Sequence, residues 1–183
     1  MNNNKHISCC FSGHRSMHFD MDASHMGFVM ENVLKSAIDK VMEDGYRIFY
    51  GGLARGFDII AAEAVIKLKE KHMNQDREIA LISVAPFRGQ EMKWGKKWRK
   101  RHDDVLKASD SIIVLNEKYI TGCYHERNRY MVDNCSKLIG LLADKEGGTK
   151  HTFDYAKEKG LDIHNIWEQI LILDTMIQSE YTS

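Results

Sequence analysis

Short apolar runs alternate with longer stretches of helical periodicity along most of the chain, and each of the first three runs meets a glycine or proline within two residues of its end. The runs are Ile7–Phe11, Tyr46–Tyr50, Glu78–Ala85, Ser111–Leu115, Lys137–Leu142 and a last short one, Leu161–Ile166. Between them, Gly27–Asp44, Phe57–His72, Gln90–Ala108, Cys123–Cys135, Thr149–Lys159 and Trp167–Ile177 read as helices. In Phe57–His72, for example, Ile60, Ala61, Ala64, Val65 and Leu68 share one face. Strands that alternate with helices can pair only through crossovers. The expected fold is therefore α/β: a doubly wound, mostly parallel sheet with helices on both faces.

Nothing in the sequence divides the chain. At 183 residues it fits one domain, with a core over about 6–166 and a C-terminal helix over about 167–178. Hydrophobic residues make up 43% and charged residues 28%, a globular balance. Lys and Arg together number 26 and so do Asp and Glu, and zero net charge argues against a general nucleic-acid partner. Cys9, Cys10, Cys123 and Cys135 form no CxxC pair and no regular Cys/His spacing, so no metal site is expected. No signal peptide and no apolar stretch of about 18 residues is visible, which predicts a cytoplasmic protein without a membrane partner.

In an open parallel sheet, ligands bind beyond the carboxyl ends of the strands. The residues that follow each strand are thus the informative ones. After the first strand come Ser12, Gly13, His14 and Arg15, with a hydroxyl, a backbone free of side chain, and donors suited to phosphate. After the second, Gly51, Gly52, Arg55 and Gly56 lead into a helix whose first turn holds Asp58, either a cap or a ribose contact. After the third, Phe87 and Gln90 offer a stacking ring and an amide that reads a base edge, ahead of the basic stretch Lys96–Arg101. Such a charge run is more often a solvated face. Further on, Arg127 suits a planar bidentate contact to an anion, and Gly147, Gly148 and Thr149 open another helix. These turns together predict a phosphate-binding loop arrangement and a nucleotide ligand of unknown identity.

The segments Cys10-Phe11-Ser12-Gly13-His14-Arg15, Gly51 to Glu63, Pro86-Phe87-x-Gly89-Gln90-Glu91 and Gly122 to Asp133 together resemble bacterial SLOG-family proteins of uncharacterised function. The resemblance runs from about Ile7 to Ile166. It implies a Rossmann-like fold and the binding of nucleotides or nucleotide derivatives, often as sensors. The wider superfamily includes cytokinin-activating phosphoribohydrolases, which cleave the N-glycosidic bond of nucleoside 5′-monophosphates, and the DNA-processing protein A family, which binds single-stranded DNA. His125-Glu126-Arg127-Asn128 with Met131 resembles the first motif of the phosphoribohydrolases, and Arg127 falls on their functional arginine. Their second motif is not matched, because Gly147-Gly148-Thr149 lacks the preceding proline and the expected glutamate. Asp154, Glu63 and Asp58 are the carboxylates left for a hydrolytic role.

The first expectation is a nucleotide-binding or sensing protein, the alternative a phosphoribohydrolase, and the third single-stranded DNA binding through Lys96–Arg101 and its tryptophans. The apolar terminal helix packs either on its own core or against a second copy in a homodimer.

Overall fold

Ser8–Gly13 (β1) carries no charged side chain and is buried from Ser8 through Ser12, the pattern of a strand covered on both faces. In a computed structural model that describes residues 4–14, 25–72, 78–143 and 146–181, β1 lies in the middle of a six-stranded sheet. The other strands are β2 (Ile48–Gly51), β3 (Ala80–Ala85), β4 (Ser111–Val114), β5 (Lys137–Leu141) and β6 (Asp162–Asn165). Their order is β4-β3-β2-β1-β5-β6, and every pairing is parallel. Cys10 stands opposite Tyr50 on one side and Leu138 on the other.

The helices are α1 (His25–Glu43), α2 (Phe57–His72), α3 (Lys96–Ala108), α4 (Cys123–Asp133), α5 (Gly148–Glu158) and α6 (Trp167–Tyr181). Alternate strand residues feed two cores. Phe11, Phe49, Leu81 and Ile139 join the face covered by α1, α2 and α6, while Cys10, Tyr50, Val84 and Leu138 join that of α4 and α5. The rings of Phe11 and Phe49 stack with centroids 6.0 Å apart, and burying each stabilises the sheet by about 1.5–3 kcal/mol. Ile166 and Ile170 of the α6 region are fully buried in the first core, so that helix packs on its own chain. Among the described residues, no helix is long and apolar enough to cross a membrane.

The architecture is the Rossmann-like one expected, with two local differences. Ser12 and Gly13 belong to β1 and not to the loop, because both pair in register with Gly140 and Leu141 of β5. The helix expected from Gln90 starts at Lys96. Tight turns to Gly89 and Glu91 carbonyls occupy the interval, and Gly95 takes an extended conformation that ends them. Strand order reverses between β1 and β5. A crevice must therefore open there at the carboxyl edge.

Candidate functional site

That crevice is a cleft of about 460 Å³, walled by the ends of β1 and the first turns of α2, α4 and α5. Its floor is a buried ion pair. Arg127 of α4 and Asp58 of α2 are 2% and 4% exposed, and Arg127 Nη1 lies 2.9 Å from Asp58 Oδ2. The same Nη1 donates to the carbonyl of Gly52. A Cβ on Gly52 would overlap the guanidinium and stand 2.5 Å from Asp58 Oδ2. Gly52 is thus glycine because Arg127 passes over it. Gly51, by contrast, lies in β2 with its nearest would-be Cβ contacts at an ordinary 3.7 Å. The next residue, Leu53, is held at φ 57 with its side chain fully buried, a strained left-handed backbone for a bulky residue.

His14 ties the two sides of the crevice. Its Nε2 accepts from the backbone N–H of Ala143 beyond β5 at 3.0 Å. Its carbonyl accepts from the N–H of Phe57 at the start of α2 at 3.2 Å. Gly13 leaves no room for a side chain, since a Cβ would sit 2.6 Å from Phe57 Cβ. Ser12 is 5% exposed and also faces the cleft.

Two helices present uncapped N-termini here. Gly147, at φ +99, precedes α5 and makes no side-chain cap, and Gly148 and Thr149 line the cleft. Gly122, at φ +86, precedes α4 in the same way. One α4 donor, the Cys123 N–H, goes to the Ile120 carbonyl. The others in the first turn, like those of Gly148 and Thr149, lie at the positive ends of helix dipoles, where an anion is favoured. Asn128 Nδ2 donates to Thr152 Oγ1 at 2.6 Å, and that hydroxyl donates to the Gly148 carbonyl at 2.9 Å. The two helix ends are thereby locked together.

Of the residues singled out in the sequence, Ser12, Gly13, His14, Asp58, Arg127, Gly148 and Thr149 line this one cleft. Arg55 is exposed beside it, and Arg15 lies outside the described residues. Gln90 is buried, its Nε2 donating to the Leu53 carbonyl at 3.3 Å, so it braces the strained loop from behind. Phe87 packs edge-on against Tyr119 and Tyr124 at the rim. Glu63 makes a two-point ion pair with Arg101 at 2.7 and 2.5 Å. Asp154 pairs with Lys150 beside a separate hollow between α4 and α5. In the basic stretch of α3, Trp98, like Trp94 ahead of it, packs on the core, Arg101 sits 4.4 Å over the Trp98 ring, and Lys96, Lys97, Arg99 and Lys100 are exposed.

Tyr119, Tyr124, His125 and Asn128 also line the cleft; in the sequence His125 and Asn128 figure only as the flanks of Arg127 in the resembling motif, and none of the four is given a ligand contact. Their signal was position alone, on the loop and first helical turns after β4. Burial pushes the thiols of Cys9 and Cys135 well above the ordinary thiol range, which disfavours the thiolate at both.

The model of the YspA SLOG family matches residues 9–175. A UPF0398 protein of Halalkalibacterium halodurans is 29% identical over 140 residues, covering 74% of this chain and 72% of the relative. The uncharacterized SPbeta prophage-derived protein YoqJ of Bacillus subtilis is 30% identical over 150 residues, covering 74% and 81%. Among solved structures, DNA processing protein A of Streptococcus pneumoniae is similar with a TM-score of 0.55 and 19% identity, covering 84% of this chain. This chain spans 48% of that longer protein. DNA processing protein A of Helicobacter pylori, whose structure is described for its single-stranded DNA binding mode, has a TM-score of 0.55 at 14% identity and covers 95% and 81%. At those identities the likeness concerns the fold.

Proposed function

The chain belongs to the YspA SLOG family, and from that premise we propose that it binds a nucleotide or nucleotide derivative in the β1–β5 crevice, as a ligand-sensing module. One observation carries the reading. Two helix N-termini without side-chain caps face a single cleft, and the one carboxylate among its described lining residues is already engaged by Arg127. A phosphate on the first turns of α5 and α4 would meet backbone donors, the Thr149 hydroxyl and favourable dipoles without meeting an uncompensated negative charge. The buried pair also gives that phosphate a floor that is already formed.

This narrows the expectation from sequence, in which the phosphate lay against both the Gly51-Gly52 and the Gly147-Gly148-Thr149 turns, with Arg127 and Arg15 neutralising its charge. Gly52 is covered by the guanidinium, so the anion's place is at Gly148 and Thr149. Of the carboxylates the hydrolase alternative would use, Glu63 and Asp154 lie outside the cleft in ion pairs of their own, and Asp58, which lines it, is engaged by Arg127. A cleft of about 460 Å³ is toward the lower end of the roughly 300–1,000 Å³ typical of small-molecule sites. It favours a mononucleotide over a larger ligand.

A thermal-shift panel of nucleoside mono-, di- and triphosphates, cyclic nucleotides, NAD, ADP-ribose and a short single-stranded oligonucleotide tests the reading. A ligand at about 100 times its Kd adds roughly 2.7 kcal/mol, which is on the order of 5–10 °C for a domain of this size. Stabilisation by the oligonucleotide alone transfers the site to nucleic acid. No shift with any small compound at millimolar concentration refutes the proposal.

A further inference from the structure

Three aromatic side chains at the cleft's rim do no work for the core. Phe87 follows β3, Tyr119 lies on the loop after β4, and Tyr124 is in the first turn of α4. None of them belongs to either hydrophobic cluster. Phe87 sits between the tyrosines, with ring centroids 5.5 Å from Tyr119 at 83° and 5.9 Å from Tyr124 at 76°. Both tyrosines line the cleft, and Tyr119 is 61% exposed. Packed edge to face on Phe87, the Tyr119 ring is held while much of its surface stays open to a flat partner.

The chain also fixes the two loops that carry these rings. Asn116 Nδ2 donates to the Pro86 carbonyl at 3.0 Å and to Glu126 at 2.9 Å, and the Asn116 carbonyl accepts from Arg88 N–H at 3.1 Å. Arg88 closes a two-point ion pair on Glu117 at 2.9 and 3.1 Å. A planar guanidinium–carboxylate fork holds one geometry. Loops tied at this many points keep an exposed ring in place, so little ordering remains to be done when a ligand arrives.

The cleft is therefore asymmetric: aromatic on its β3–β4 side and lined by uncapped helix ends and hydroxyls on its β1–β5 side. We infer that Tyr119 and Tyr124, seated on Phe87, form the stacking surface for the base of the ligand, which is thus a base-bearing nucleotide and not a bare phosphate or sugar phosphate. The inference rests on the phosphate reading above, and it fixes direction: base over the tyrosines, phosphate toward Gly148. Stacking discriminates weakly among bases, because each has a π-face. Purine and pyrimidine nucleotides should both bind.

Calorimetric titration of AMP, UMP and ribose 5-phosphate into wild type, Tyr119→Ala and Tyr119→Phe tests it. Wild type is expected to bind AMP at least about fivefold tighter than ribose 5-phosphate. Tyr119→Ala should bring AMP down to the sugar phosphate's affinity and leave the latter unchanged, whereas Tyr119→Phe keeps most of the difference. Equal wild-type affinities for AMP and ribose 5-phosphate, or equal weakening of both by Tyr119→Ala, overturns the stacking surface while leaving the phosphate site standing. Failure of wild type to bind any of the three overturns the phosphate site, and the stacking surface with it.

Discussion

Arg127 reaches from α4 to α2 and places its Nη1 2.9 Å from Asp58 Oδ2, with the two side chains only 3% and 6% exposed. The pair joins helices on opposite faces of the sheet, around the end of β2. Removing one partner strands the other charge in a site with little water, which costs about 3–5 kcal/mol. Arg127→Met should therefore lower the melting temperature by roughly 6–20 °C before any ligand is added. The double variant with Asp58→Asn should recover a large part of that loss, since neither charge then remains. Urea unfolding of the three proteins checks this, and an Arg127→Met stability within about 1 kcal/mol of wild type would show that the pair does not hold the helices. It also follows that loss of ligand binding in this variant says little about the ligand by itself.

Adjacent glycines should respond oppositely to the same change. A methyl on Gly52 collides with the Arg127 guanidinium, whereas one on Gly51 meets only ordinary contacts with Ala62 and Leu81. Gly52→Ala is expected to cost about 1–3 kcal/mol, as overpacking does, and Gly51→Ala to stay within about 0.5 kcal/mol. Thermal or urea denaturation of both reads the contrast directly. Equal costs would mean that the turn's backbone, and not the ion pair, requires glycine.

Much of this fold is written in local periodicity. The helix Phe57–His72 emerges from the sequence with both ends where the structure has them, because its apolar spacing and flanking Gly56 act within a few residues. What local pattern misses is pairing at a distance. Ser12 and Gly13 look like loop until β5, over 120 residues later, is laid beside them. Gly52 was legible as a glycine that something must approach closely, but its occupant is 75 residues away. Glu63 reads as a spare carboxylate only until Arg101 is seen against it. Tyr119 and Tyr124 follow no period at all, and they become a site only when the loops after β3 and β4 are brought side by side.

His164, on the edge strand β6 and lining a hollow separate from the cleft, should give stability a pH dependence. Burial holds its pKa below the ordinary 6.5, and Lys137 and Lys40 push the same way against the Gln169 hydrogen bond and Asp162. A depressed folded-state pKa means that the unfolded chain takes up the proton first. The contribution is thus complete above about pH 6.5 and is lost as pH falls through the folded value. His164→Gln removes that proton uptake. Relative to the variant, wild type should lose melting temperature between about pH 7.5 and pH 5, and parallel curves for the two proteins would show that His164 is not the group responsible.

Gly148 separates binding from stability most cleanly. It is the first residue of α5, which has no acidic side chain in its first turn, and a Cβ there meets nothing within 4 Å. Gly148→Asp therefore costs no packing. Its carboxylate sits at the positive end of the helix dipole, worth about 0.3–1 kcal/mol, so the melting temperature should hold or rise by roughly 1–4 °C. The same carboxylate lies where the proposed phosphate docks, competing for the N–H groups and repelling a second anion. Nucleotide-induced stabilisation should vanish in Gly148→Asp and persist in Gly148→Ala, which adds the methyl without the charge. A variant that is stable yet blind to nucleotide assigns the phosphate to α5. Undiminished binding by Gly148→Asp would move the phosphate off that helix and leave the α4 terminus as the remaining uncapped end in the cleft.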